Sequence, residues 1–238
     1  MQVAWDIQRF PIIDSTNTWV LEQARNGAAE GLVAVADEQT AGRGRLGRTW
    51  IAPPRSSLLM SVLLRPTGLP MDRLHLATAA VAMAGADALS AVAGVNPDLK
   101  WPNDLLVGTR KLAGVLTEVE GDAVVVGIGI NCTWPDDLPA EIADVAVAAN
   151  HVAGRPVATS EVLDVLLERL GGRLDAGWDD VASEYRSRCA TVGREVRVEL
   201  AEESFSGFAA EVENDGALIV LSEAGPCRVV AGDVVHLR

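Results

Sequence analysis

The segment Gly42–Trp50 reads GRGRLGRTW and sets three arginines, Arg43, Arg45 and Arg48, at close spacing among glycines. Guanidinium groups this near to one another repel unless an anion joins them, and their forked donors fit carboxylate and phosphate oxygens. At ~4 Å and an effective dielectric of ~20, each such pairing carries roughly 4 kcal/mol of gross Coulomb energy. Ordering a loop costs ~1–2 kcal/mol per residue. The segment is therefore expected to be disordered without a ligand and to close over a molecule carrying several anionic groups. A solvated basic loop with no ligand is the plainer alternative. Gly42, Gly44 and Gly47 also satisfy the dinucleotide signature GxGxxG. That signature needs a helix starting at the last glycine, whose N-terminus holds the pyrophosphate. Pro53 and Pro54 follow instead, and the next element reads as a strand. A Rossmann site is rejected on that ground, and a kinase loop for want of a catalytic loop after it.

Lysine is nearly absent: Lys100 and Lys111 stand against eighteen arginines. Both lie in one block, where Lys100–Leu105 reads KWPNDL and Arg110–Val115 reads RKLAGV. Thr117-Glu118 follows in the position of a strand end, and Gly127–Asn131 reads GIGIN. Upstream, Ser15, Thr16 and Asn17 form a short polar run that by itself either caps a helix or offers hydroxyl and amide groups to a polar ligand. Gln39, just before the arginine loop, reads alone as an exposed amide.

Together, in this order and spacing, these motifs resemble the biotin–protein ligase family, the biotin–[acetyl-CoA-carboxylase] ligases. The resemblance runs from about Ser15 to the terminal AGDVVHLR. It implies an enzyme that couples biotin to ATP, forming biotinyl-5′-AMP, and passes biotin to a lysine of a biotin carboxyl carrier domain. By the resemblance, Ser15, Thr16, Asn17 and Gln39 bind the biotin head, whose ureido ring presents a carbonyl acceptor and N–H donors. Arg43 and Arg45, with Gly44 between them, lie over the ligand's carboxylate and phosphate, and Gly114 leaves room for biotin. Arg48, Trp50, Asn103 and Asn131 match nucleotide-side positions, with Trp50 a candidate to stack on adenine. Lys111 matches the central lysine between the biotin carboxylate and the α-phosphate. Lys111, Arg45 and Asp104 are the expected catalytic set, Asp104 positioning or deprotonating the acceptor lysine. Mg2+ accompanies the nucleotide, with no protein carboxylate cage expected for it. Lipoate–protein ligases share the fold and reaction type and remain an alternative, as does a non-catalytic anion-binding module.

Elements must hold these residues in place. A strand ending near Ile13 leads through a turn to a helix capped by Ser15 or Thr16. Leu32–Ala36 and Ser57–Leu64 read as buried strands, and Glu38–Pro54 as a loop. Met71–Val92 carries apolar residues at helical spacing. Leu99–Val107, Lys111–Val119 and Val124–Ile130 read as strands joined at Gly108 and Gly121. Leu163, Leu166, Leu167, Leu170 and Leu174 trace one face of another helix. From about Gly193 only short strands follow: Val196–Leu200, Phe205–Val212, Ala217–Leu221 and Arg228–Val230, with Asn214-Asp215-Gly216 as a hairpin turn. Segregated helices and strands predict α+β architecture. The resemblance narrows this to a mixed sheet flanked by helices, the fold shared with class II aminoacyl-tRNA synthetases, plus a small C-terminal SH3-like β-barrel. The expected division is a catalytic domain over 1–190 and a barrel over 191–238.

The 238 residues carry a net charge of −13, which argues against a general nucleic-acid binder or a polybasic membrane-surface protein. Uncharged stretches such as Leu74–Ala86 are too short to span a bilayer. No signal-peptide pattern opens the chain, since Asp6 and Arg9 interrupt it. Cys132, Cys189 and Cys227 are too scattered for a disulfide framework or a metal cluster. A soluble cytoplasmic protein is expected, a monomer or weak homodimer. With about a dozen residues before Ser15, the monofunctional type without an N-terminal DNA-binding domain is the expected variant.

Overall fold

Two runs that are apolar but for Ser57 and Ser61, Leu32–Ala36 and Ser57–Leu64, are best satisfied as strands covered on both faces, and they become adjacent inner strands of a seven-stranded sheet. The computed structural model describes residues 3–136, 140–200 and 203–237. Met1 and Arg238, the outer ends of the two expected domains, lie outside the described residues. The chain runs β1 (Asp6–Phe10), α1 (Thr16–Arg25), β2 (Leu32–Ala36), β3 (Ser57–Leu64), α2 (His75–Ala93), β4 (Asp98–Lys100), β5 (Asp104–Val107), β6 (Arg110–Glu120) and β7 (Ala123–Asn131). Next come α3 (Ala140–Ala143), α4 (Ala149–Ala153), α5 (Thr159–Ala176) and α6 (Trp178–Arg188). Five strands close it: β8 (Glu195–Glu199), β9 (Ser204–Val212), β10 (Leu218–Ser222), β11 (Gly225–Val229) and β12 (Asp233–His236).

The large sheet has the order β1-β2-β3-β7-β6-β5-β4. Only β1 and β2 are parallel, joined through α1; the other neighbours are antiparallel. This is the mixed sheet of the expected α+β class. The Ala-rich α2 packs closely on one face of the sheet, beside α5 and α6. With its preceding turn, Met71–Ala93, it is long and apolar enough to cross a membrane by length and composition. Most of it is buried inside the protein, so its apolar surface is already covered by the core. The last five strands form an antiparallel sheet of their own, ordered β11-β10-β9-β8-β12.

One expected strand divides. Leu99–Val107 is β4 and β5 folded back on each other, with Trp101–Asn103 as the tight turn between them. The KWPND motif is that turn. Sequence periodicity also passed over α6 and β12, because α6 is amphipathic but charge-rich and β12 is only four residues long. The C-terminal sheet is tied to the back of the KWPND turn. The Trp101 backbone N–H donates to Thr191 Oγ1 at 2.9 Å, and its indole N–H donates to the Gly216 carbonyl at 2.8 Å.

Candidate active site

The GIGIN motif shows how a short sequence makes a binding floor. Strand alternation sends Ile128 and Ile130 into the core and turns Gly127 and Gly129 to the opposite face. In the ladder Gly129 lies opposite Gly114 of β6, and Gly127 lies opposite Ser61 of β3. The result is a bare patch where other groups approach the backbone. The Trp50 indole rests on it, only 2.5 Å from where a Cβ at position 129 would stand and 3.1 Å from one at position 114.

Asn17 fills the space over Gly127. Its Nδ2 donates to the Leu116 carbonyl at 3.2 Å and to Glu118 Oε2 at 3.0 Å, so both amide hydrogens are used. The Ser61 hydroxyl lies 2.5 Å from Asn17 Oδ1 and 2.7 Å from Thr16 Oγ1, donating to either. Gln39 Oε1 accepts from both the backbone N–H and the hydroxyl of Thr16, at 2.8 and 3.0 Å. Ser15 caps α1, its hydroxyl accepting from the Thr18 N–H at 3.4 Å. The cap uses the Ser15 hydroxyl as an acceptor and leaves its hydrogen free to donate. The network leaves the Ser15 hydroxyl and the Gln39 amide as donors, and Asn17 Oδ1 with a spare lone pair as acceptor. Ser15, Thr16 and Asn17 are all buried, and with Gln39 they wall a narrow cavity.

That cavity shares Arg43, Trp50, Gly114 and Leu116 with a second, larger one of about 390 Å³. Here the structure gathers the expected cations. Lys111 is re-aimed by an irregularity in the β5–β6 ladder: Leu105 pairs with Ala113 but Leu106 with Lys111, leaving Leu112 as the extra residue. Lys111 thereby reaches over the glycine face, its Nζ 2.7 Å from Asp104 Oδ1 and 5.6 Å from the Trp50 ring centroid. Lys100 Nζ stands 3.8 Å from Asp104 Oδ2. Burial pulls the Lys100 ammonium below its ordinary pKa, with Asp104 opposing the shift and Lys111 adding to it.

The arginine segment is a small hairpin. The Trp50 N–H donates to the Gly42 carbonyl at 3.0 Å and the Gly44 N–H to the Arg48 carbonyl at 2.7 Å, around a turn in which Leu46 and Gly47 both have positive φ. A side chain at position 42 would meet the Trp50 carbonyl at 2.4 Å, so this glycine is required by close approach. The arginines splay to three different parts of the frame instead of repelling. Arg43 pairs with Glu118 at 2.6 Å, Arg45 donates to Asn103 Oδ1 at 3.0 Å, and Arg48 pairs with Asp233 of β12. Asn103 in turn donates to the Val115 carbonyl at 2.7 Å. Asn131 donates to the Val147 carbonyl at 3.0 Å, while its Oδ1 is buried without a partner among the described residues.

Every residue expected at the site is thus brought to one of two connected cavities. Gly44, Arg45 and Lys111 line only the larger one, as do Arg48, Asn103, Asp104 and Asn131. Trp50 stands at the junction of the two. Sequence reasoning missed Ser61, Asp233 and Trp134. Ser61 was findable as the polar residue inside the apolar run SLLMSVLL. Trp134 lines the larger cavity with its indole N–H held by Ser57 Oγ at 2.8 Å. Among the described residues no group of three His, Cys, Asp or Glu side chains is placed to hold a metal.

A polar cavity adjoining a larger one lined by Arg43, Arg45, Arg48 and Lys111 is an arrangement suited to anionic ligands. Comparison with known proteins agrees. Residues 9–134 match the biotin/lipoate A/B protein ligase family, and residues 191–237 match the biotin protein ligase C terminal domain. The chain belongs to this family, as a biotin protein ligase. It is 37% identical to the biotin–[acetyl-CoA-carboxylase] ligase of Mycobacterium tuberculosis, over 94% of this chain and 86% of that one. It is 31% identical to a bifunctional ligase/repressor of Bacillus spizizenii, over 94% and 71%. Its fold superposes on the biotin protein ligase from Aquifex aeolicus in complex with biotin and ATP with a TM-score of 0.83. That match has 30% identity and covers 98% of this chain and 99% of that one.

Proposed function

We propose that the chain is an ATP-dependent ligase that activates biotin as biotinyl-5′-AMP and transfers it to a lysine of a biotin carboxyl carrier domain. One observation carries the reading: Lys111 lines the larger cavity together with Arg43, and its Nζ lies 5.6 Å from the ring centroid of Trp50, which lines both cavities. A ureido head fits the donors of Ser15 and Gln39 and the acceptor of Asn17. Its carboxylate then faces the junction, with the nucleotide in the larger cavity against Asn103, Asn131 and Arg48.

In the first step a biotin carboxylate oxygen attacks the α-phosphorus and pyrophosphate leaves. Lys111 and Arg45 draw the two anions together and offset charge on the phosphoryl oxygens, a contact of roughly 4 kcal/mol gross at ~4 Å and an effective dielectric of ~20. In the second step the acceptor amine attacks the acyl carbon and AMP leaves. Asp104 is assigned to position or deprotonate that amine, which an unperturbed pKa of roughly 10.4 keeps protonated at neutral pH. Mg2+ belongs to the polyphosphate. The two carboxylates lining the larger cavity, Asp104 and Asp233, are engaged by Lys111 and Arg48, which leaves the cation to arrive with ATP.

The division at about residue 190 into catalytic and C-terminal domains, a cytoplasmic location and a monomeric or weakly dimeric state complete the proposal. Incubation with ATP, biotin and a carrier domain tests it by mass spectrometry. The carrier should gain one biotinyl group on one lysine, and lipoate should not substitute. A carrier labelled equally well with lipoate would favour the alternative ligase.

A further inference from the structure

Among the described residues, Asp233 is the only one of the C-terminal sheet that lines the larger cavity. It begins β12, opposite Glu199 of β8. Gly232 before it has a φ of 147°, and a Cβ there would stand 2.9 Å from Leu200 and 3.1 Å from the Glu199 carbonyl. The backbone is thus pressed against β8 just where it delivers Asp233 to the cavity. The side chain is 28% exposed, while its partner Arg48 is 65% exposed. The carboxylate is the more buried half of the pair and the guanidinium the more exposed. Among the described residues, Arg48 is also the one loop arginine with a partner in the C-terminal sheet; Arg43 pairs with Glu118 and Thr18, and Arg45 with Asn103.

We propose that Asp233 is a positioning residue that competes with the nucleotide polyphosphate for Arg48. The C-terminal sheet thereby holds the arginine hairpin by an internal anion, and ATP must take Arg48 from it. The proposal rests on the reading of the larger cavity as the nucleotide site. Release of Arg48 then detaches the hairpin from β12, so nucleotide arrival loosens one tie between the C-terminal sheet and the site.

The test is Asp233→Asn, with Asp233→Glu as the charge-preserving variant. An exposed pair of this kind alters an equilibrium by roughly two- to five-fold. Asp233→Asn should therefore lower the dissociation constant and the KM for ATP by about that factor. The KM for biotin and the affinity for adenosine, which has no phosphates, should not change. Asp233→Glu should restore the wild-type value, and raised salt should shrink the difference between wild type and Asp233→Asn. ATP affinity that is unchanged or weakened in Asp233→Asn overturns the proposal, as does an equal effect on adenosine, which would indicate a damaged sheet. A wild-type chain that fails to bind ATP at all would instead overturn the nucleotide-site reading.

Discussion

Replacing Gly127 with alanine tests the head cavity at its tightest point. The added Cβ would stand 2.1 Å from Asn17 Oδ1, 3.0 Å from its Cγ and 3.2 Å from Ser61 Oγ. Asn17 must retreat by roughly 1 Å, and in a close-packed interior it has nowhere to go. It is 4% exposed and held by Leu116, Glu118 and Ser61. Forcing it out costs about 1–3 kcal/mol of overpacking and about 0.5–1.5 kcal/mol for each hydrogen bond broken. Part of that cost falls on stability, lowering the melting temperature by about 2–4 °C per kcal/mol for a chain of this size. The rest falls on binding, because the displaced Oδ1 is the acceptor assigned to the ureido N–H. A binding loss of about 1.4–2.8 kcal/mol raises the dissociation constant for biotin by about 10- to 100-fold. ATP, which does not touch Asn17 in this scheme, should bind within about two-fold of wild type, a change worth less than ~0.5 kcal/mol. Calorimetric titration with each ligand reads both values. Gly172→Ala is the control, since a Cβ there meets nothing within 4 Å in the exposed part of α5. Wild-type biotin affinity in a folded Gly127→Ala protein would refute the placement of the biotin head.

Other expectations follow from the same geometry. Arg45→Gly removes the tie from the hairpin to Asn103; biotinyl-AMP should then dissociate faster and label lysines indiscriminately, and unchanged dissociation would count against the hairpin as a lid. Asp104→Asn should slow transfer from preformed adenylate, and wild-type transfer would exclude its role with the acceptor amine. Stability should fall with acidification before the carboxylates titrate. Burial lowers both His75 and His236 to about 4, with Arg73 and Arg186 adding and Asp72 and Asp215 opposing at His75. At His236, Arg194 and Lys100 add to the shift and Asp98 opposes it. Because the unfolded chain takes up these protons first, near a pKa of ~6.5, their contribution is intact above that value and lost progressively down to about 4. Denaturant midpoints from pH 7.5 to 5 should show the slope, and a slope unaltered in His75→Gln/His236→Gln would contradict it.

The central strands were legible because each is a short run with one physical demand: Leu32–Ala36 and Ser57–Leu64 occur with the bounds their apolar character implied. Periodicity passed over the KWPND turn, although Pro102-Asn103-Asp104 is itself a turn signal, because the apolar residues at its two ends, Leu99 and Leu105–Val107, read as one strand. Ties from Trp101 to Thr191 and Gly216 hold the reversal. At the site, glycine spacing and scarce lysine carried residue types, and the resemblance carried their roles. What periodicity could not carry was direction. Lys111 faces the site through a register irregularity, and no local pattern announces that. The arginine hairpin shows the same limit. Composition indicated mutual repulsion relieved by a ligand, whereas Glu118 and Asp233 supply counter-charges from 75 and 185 residues away.

The most direct test of the whole account is pyrophosphate exchange into ATP by the purified chain. Exchange should require biotin and vanish in Lys111→Ala. Absence of biotin-dependent exchange in the folded wild-type chain, or equal exchange with lipoate, would contradict the account.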